Sequence, residues 1–190
     1  MQEAARQLQN AQQSRPQRDL ANAAQQANRL AQQQKDIQQQ TRNLNQNGAG
    51  TQDRQQRAQQ LAEQKAQMTD QVNQLQQQLD KLATDTRASD KDTSRRVADA
   101  ASALRDNRVK DKIDYTRGTL QSQGQTTQAY EDEIGKNLDD VRQRVADAQG
   151  AQGRQEQQNA QQRALGQASD LLRNVQSIDR KSTRLNSSHT

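Results

Sequence analysis

Residues 58–82 read AQQLAEQKAQMTDQVNQLQQQLDKL, and the spacing of their apolar side chains decides the fold. Ala58, Leu61, Lys65, Met68, Val72, Leu75, Leu79 and Leu82 recur at alternating intervals of three and four, with Gln, Ala, Asp, Asn, Glu, Lys and Thr between them. Side chains at that spacing share one stripe of an α-helix, the heptad pattern of a helix that pairs with another. A stripe this narrow is buried only against a partner helix. The expected class is therefore all-α: an elongated antiparallel helical hairpin or coiled coil, with shorter C-terminal helices and flexible hinges.

The partner lies immediately upstream. Leu20, Ala23, Ala27, Leu30, Gln34, Ile37, Thr41 and Leu44 repeat the same spacing. Between the two seams sits NQNGAGTQD, residues 45–53, where Asn47, Gly48 and Gly50 are stop and turn signals. Folding about Gly48 sets Leu30 beside Lys65 and Met68, Ile37 beside Ala58 and Leu61, and Leu20 with Ala23 beside Val72 and Leu75. Small residues then meet large ones. Further upstream, Ala4, Leu8 and Ala11 mark a weak helical turn. Ser14 reads as the cap of a restart, with Pro16 in its first turn, where the missing N–H costs little. Lys65 and Gln34 are polar residues at seam positions, a type that fixes register and partner choice at a cost in stability. They are expected to face each other only approximately.

Downstream, TDTRASDKD (residues 84–92) ends the long helix, and Ser89 with Asp92 reads as a capping box for the next. That helix carries Val97, Ala100, Ala101 and Leu104, then shifts phase to Val109, Ile113, Thr116 and Leu120. The phase change at Asp106 and Asn107 predicts a kink, a short turn or two helices. Gly118 and SQGQTT (residues 122–127) are expected as loop. Thr126 or Thr127 then caps a helix with Tyr130, Ile134, Leu138, Val141, Val145 and Ala148 on one face. Glu131, Asp132 and Glu133 crowd its first turn, where the helix dipole favours negative charge. GAQG, residues 150–153, reads as a hinge before a last helix bearing Ala164, Leu165, Ala168, Leu171, Leu172, Val175 and Ile178. Three regions are expected: a long antiparallel hairpin over 1–84, shorter helices over 85–178 and a disordered tail over 179–190. Within that tail, RKSTRLNSSHT (residues 180–190) resembles read-through into a cloning linker or library adapter at the ends of translated environmental sequences.

Composition supports thin seams over a conventional core. Hydrophobic residues make up 28% of the 190, well below the roughly 45 to 50% of ordinary globular domains. Leu, Ile and Val together come to about 13%, and Phe is absent. The 28 basic and 23 acidic residues nearly cancel, so the high net charge that accompanies disorder is missing. Gln, about a fifth of the chain, favours helix together with Ala, Leu, Arg and Lys. Gln runs never exceed three and charges interrupt them, which makes an amyloid reading minor.

The same inventory excludes several chemistries. Without cysteine there is no disulfide framework, thiolate nucleophile or zinc ribbon. His189, the single histidine, lies in the tail, which removes His general bases and His metal sites. The glycines lack the spacing and the lysine of a phosphate-binding loop. Carboxylates such as Asp139 and Asp140 lie close to Lys136 and Arg144, a solvated face of pairs worth about 0.2 to 0.5 kcal/mol each. The first turn with Glu131, Asp132 and Glu133 is read in the same way. No catalytic, cofactor-binding or metal residue is assigned, no cofactor or small-molecule substrate is expected, and the chain is not read as an enzyme. No window approaches the roughly 18 apolar residues of a membrane span, and MQEAARQLQN lacks the apolar core of a secretory signal. No membrane contact by this segment is expected, and the compartment is left open.

A sequence pI near 9.8 raises nucleic-acid binding. The densest basic zone holds Arg95, Arg96, Arg105, Arg108, Lys110, Lys112 and Arg117. Asp99, Asp106, Asp111 and Asp114 interleave with it and Tyr115 is the one aromatic nearby, so neither a phosphate stripe nor a stacking platform emerges. Tyr115 and Tyr130 are expected to pack at a helix junction.

With its glutamine-rich heptads over residues 20–82 and the charged block RVKDKIDYTRGTL over residues 108–120, the chain resembles Gln/Ala-rich helical regions of large bacterial membrane-anchored proteins of unknown function. That resemblance implies a fragment of a longer protein with an extracytoplasmic location. The expected function is a non-enzymatic structural or protein-interaction coiled-coil module, pairing with itself or another helical protein through its heptad seams. The alternative is a basic helical nucleic-acid-binding protein, which the interleaved aspartates disfavour.

Overall fold

The computed structural model describes the backbone of residues 2–46, 51–124 and 126–186, and the side chains of residues 15–45, 52–124, 126–155 and 157–176. It contains α1 (Gln2–Gln46), α2 (Thr51–Thr86), α3 (Lys91–Asp106), α4 (Val109–Gln123) and α5 (Gln128–Asn186), with no strand among the described residues. Two compact units divide the chain, Met1–Ala151 and Gln152–Thr190. The first unit joins the regions expected at 1–84 and 85–178 as far as Ala151, because both contribute to one core.

In the first unit, α1 and α2 run antiparallel. Gln26 Nε2 donates to the Gln71 carbonyl (3.3 Å) and Gln78 Nε2 to the Asp19 carbonyl (3.4 Å). Both pairs are centred between residues 48 and 49, the register that folding about Gly48 gives. The turn itself, at residues 47–50, lies outside the described residues. All sixteen seam positions are buried, Gln34, Thr41 and Lys65 among them. Each large apolar side chain removed from water contributes about 1.5 to 3 kcal/mol, which is what two thin stripes need to hold together.

The unit closes because α3, α4 and the first part of α5 cover the remaining faces. Both α3 and α4 pack on α2. Arg105 reaches both oxygens of Asp80 at 2.8 Å, and Thr69 Oγ1 donates to Asp114 Oδ1 at 3.0 Å. Just before α5, Asn45 Nδ2 donates to the Thr126 carbonyl (3.2 Å), and along the helix Lys35 meets Asp139 (3.6 Å) and Lys112 meets Glu133 (2.6 Å). Successive rods alternate in direction, so this is an up-down-up-down helical bundle whose third rod is made of α3 followed by α4.

The rod breaks where the apolar phase shifts. Asn107 N donates to the Ala103 carbonyl, and Arg108 takes φ 49°, the left-handed region. One residue there re-aims the chain so that Val97, Ala100, Ala101 and Leu104 on one side and Val109, Ile113, Thr116 and Leu120 on the other all face the core.

Several local expectations are corrected. The cap of α3 is Asp90, whose Oδ1 accepts from Thr93 N at 2.9 Å; Ser89 Oγ instead donates back to Thr86 O. Pro16 sits inside a continuous α1 with no restart after Ser14. Its lost N–H bond is outweighed by the burial from Leu20 onward. Gly118 lies within α4, which runs on to Gln123. Tyr130 is 38% exposed, and the seam position expected of it belongs to Glu131. Finally, α5 passes through GAQG without a break and continues to Asn186. The expected hinge is thus helical and coincides with the end of the packed unit, and residues 179–186 of the expected disordered tail are helical. Two isolated glycines cost about 1 kcal/mol each in a helix, and neither Pro nor a left-handed residue is there to stop it. Residues 187–190 lie outside the described residues.

The second unit, by itself, is the rest of α5. Its described side chains from residue 157 to 176 are all exposed, including Leu165, Leu171, Leu172 and Val175 at 62 to 70%.

Candidate functional site

Two of the three polar positions of the long seams, Gln34 and Lys65, converge on one carboxylate. Glu131 falls in the first turns of α5 and points into the bundle, where it and Lys65 are both fully buried. Lys65 Nζ lies 2.8 Å from Glu131 Oε2, and Gln34 Nε2 donates to the same oxygen at 2.9 Å. The Glu131 carbonyl also accepts from Gln34 Nε2 (3.0 Å) and Gln38 Nε2 (2.7 Å). Side chains from α1 and α2 thus meet on α5 and tie together three of the rods.

Gly135 makes the approach possible. It lies one turn after Glu131, and a Cβ there would overlap Gln38 Nε2 and come within 3.3 Å of its Cδ. The cluster extends along α2, where Thr69 Oγ1 bonds to the Lys65 carbonyl (3.1 Å) and to Asp114. Burial pushes the Lys65 ammonium below its ordinary value, outweighing the attraction and hydrogen bond of Glu131. Gln34 Oε1 and Glu131 Oε1 are buried and accept no hydrogen bond. With both charged groups at zero exposure, the arrangement is a polar cluster enclosed in the core of the bundle.

Reading Gln34 and Lys65 as seam positions located two members of this cluster. Their link is indirect, since both bond to Glu131. The helix dipole alone explains Glu131 as a solvated first-turn residue, yet Glu131, Ile134, Leu138, Val141, Val145 and Ala148 keep the three and four spacing that Tyr130 does not. That spacing is the signal that identifies it.

The basic zone is largely occupied within the fold. Arg95 and Arg96 pair with Asp92, Arg105 with Asp80, Lys112 with Glu133 and Arg117 with Asp114. Asp139 and Asp140 pair with Arg142 and Arg144. A shallow groove of about 400 Å³ between α1 and α2 is lined by amides, Gln25, Gln26, Gln71 and Gln74 among them. Among the described residues, no group of three His, Cys, Asp or Glu side chains could hold a metal ion, and no helix is long and apolar enough to cross a membrane.

No protein-family model, curated protein or solved structure matches this chain.

Proposed function

We propose that this chain is a non-enzymatic structural and protein-interaction module that pairs with another helical chain in the manner of a coiled coil. The observation that carries the reading is where apolar surface remains. The first unit consumes its seams internally, and among the described residues the exposed large aliphatic side chains, Leu165, Leu171, Leu172 and Val175, all belong to the second. Together with Ala164 and Ala168 they recur at helical spacing on one face, while Arg163, Asp170 and Arg173 occupy the other. A helix of this kind buries its stripe by lying along a second helix. The docking surface therefore lies on α5 and not on the seams of α1 and α2.

Circular dichroism and sedimentation of the full chain test this. The expected result is a helical protein that associates across the micromolar range and loses that association in the variant Leu171→Asp with Leu172→Asp. A mostly unfolded monomer at micromolar concentration and low temperature overturns the reading. Titration with duplex and single-stranded DNA at two salt concentrations tests the alternative, since phosphate contacts weaken steeply with salt.

A further inference from the structure

Tyr115 and Tyr130 are the only Phe, Tyr or Trp residues of the chain, and the fold brings them into contact. Their ring centroids lie 5.1 Å apart with the planes tilted by 53°, one ring on α4 and the other on α5. Both are open to solvent, 56% and 38% exposed. The core positions of the same helices are filled without them, by Ile113, Thr116 and Ile134. Three residues from each ring, the Lys112–Glu133 ion pair at 2.6 Å holds the two helices together at this level.

Accessible phenols are also the groups here that give up an electron most readily. The chain has no Cys and no Trp, and Met68 is 1% exposed. We propose that Tyr115 and Tyr130 form an oxidative cross-linking site, at which a carbon–carbon bond between the rings ties α4 covalently to α5. A one-electron oxidant, such as a haem peroxidase fed with hydrogen peroxide, removes one electron and one proton from each phenol. The two phenoxyl radicals share spin at their ortho carbons and combine there to form a single C–C bond. The ring hydrogens at those carbons then transfer to the oxygens and restore both phenols. In total two electrons and two protons leave the protein, and one hydrogen peroxide takes them up as two waters. Contact in the fold replaces a chance encounter across the 14 intervening residues, which is the advantage of reacting groups held side by side.

The test is oxidation of the full chain at low micromolar concentration by a ruthenium photo-oxidant with persulfate, a one-electron oxidant that also works in urea. The expected product is a monomer lighter by two hydrogens, with dityrosine fluorescence. After trypsin, residues 113–117 and 118–136 should appear joined as one species. Tyr115→Phe and Tyr130→Phe, each with unchanged helicity, should each abolish the intramolecular product and leave only covalent dimers. Unfolding in urea should slow the intramolecular coupling roughly tenfold. Covalent dimers as the main product of the native protein, equal rates with and without urea, or an intramolecular link surviving in either variant would each overturn the proposal.

Discussion

Lys65 and Glu131 present the sharpest energetic contrast in the molecule. Removing two charges from water is expensive, and their attraction offsets part of that cost only while both are present. Lys65→Met should therefore destabilise the first unit by about 3 to 5 kcal/mol, because it leaves Glu131 buried with Gln34 as its remaining side-chain donor. Lys65→Met combined with Glu131→Met should recover most of that loss; denaturant titrations of the single and double variants check it. The pH dependence follows from the lowered Lys65 value. Below the folded-state value, the ammonium is present in both states and its desolvation opposes folding. As the pH rises from that value towards the ordinary 10.5, only the unfolded chain keeps the proton, so the Lys65 contribution to stability increases. Unfolding curves at successive alkaline pH values should show this rise in the parent protein and lack it in Lys65→Met.

At the scale of elements, the seams were legible because they rest on repetition, and single-residue decisions were not. Sixteen positions over two helices agree on one period, so an error at any of them leaves the register intact. The cap of α3 turned on which of Ser89 and Asp90 sits one residue before Lys91, and the capping pattern alone does not separate neighbours. A carboxylate in a first turn has an adequate explanation in the helix dipole, and against it stands only the three and four spacing that Glu131 shares with Ile134 and Leu138. Gly135 belongs to the same class: nothing in its local sequence marks the close passage of Gln38. Gly135→Ala should displace the Gln38 amide from the Glu131 carbonyl and lose on the order of 1 kcal/mol of hydrogen bonding at a half-buried site, set against a helix-propensity gain of up to about 1 kcal/mol for Ala over Gly. The loss should shrink in Gln38→Ala, a double-mutant cycle that thermal unfolding can measure.

For the whole molecule, the boundary at Ala151 separates side chains that are packed from side chains that are exposed. Composition suggested helices with thin seams, yet the number of rods sharing one core became apparent only once residues 85–151 were seen to cover the hairpin. Long-range closure of α5 against α1 has no signature in local periodicity. Limited proteolysis with trypsin should cut early at Arg154, Arg163 and Arg173, all exposed and outside the packed unit, and leave a resistant fragment spanning residues 20–151. Early cuts at Arg105 or Lys112, within the bundle, would contradict the division.

The alternating direction of successive rods also bears on how fast the chain reaches its native state. Most neighbouring rods are consecutive in the sequence, so their contacts need only short loops to close, the situation associated with rapid folding. The bonds from Gln34 to Glu131 are different, spanning 97 positions. The polar centre consequently joins the two ends of the bundle's sequence and is among the most expensive contacts to form in loop entropy.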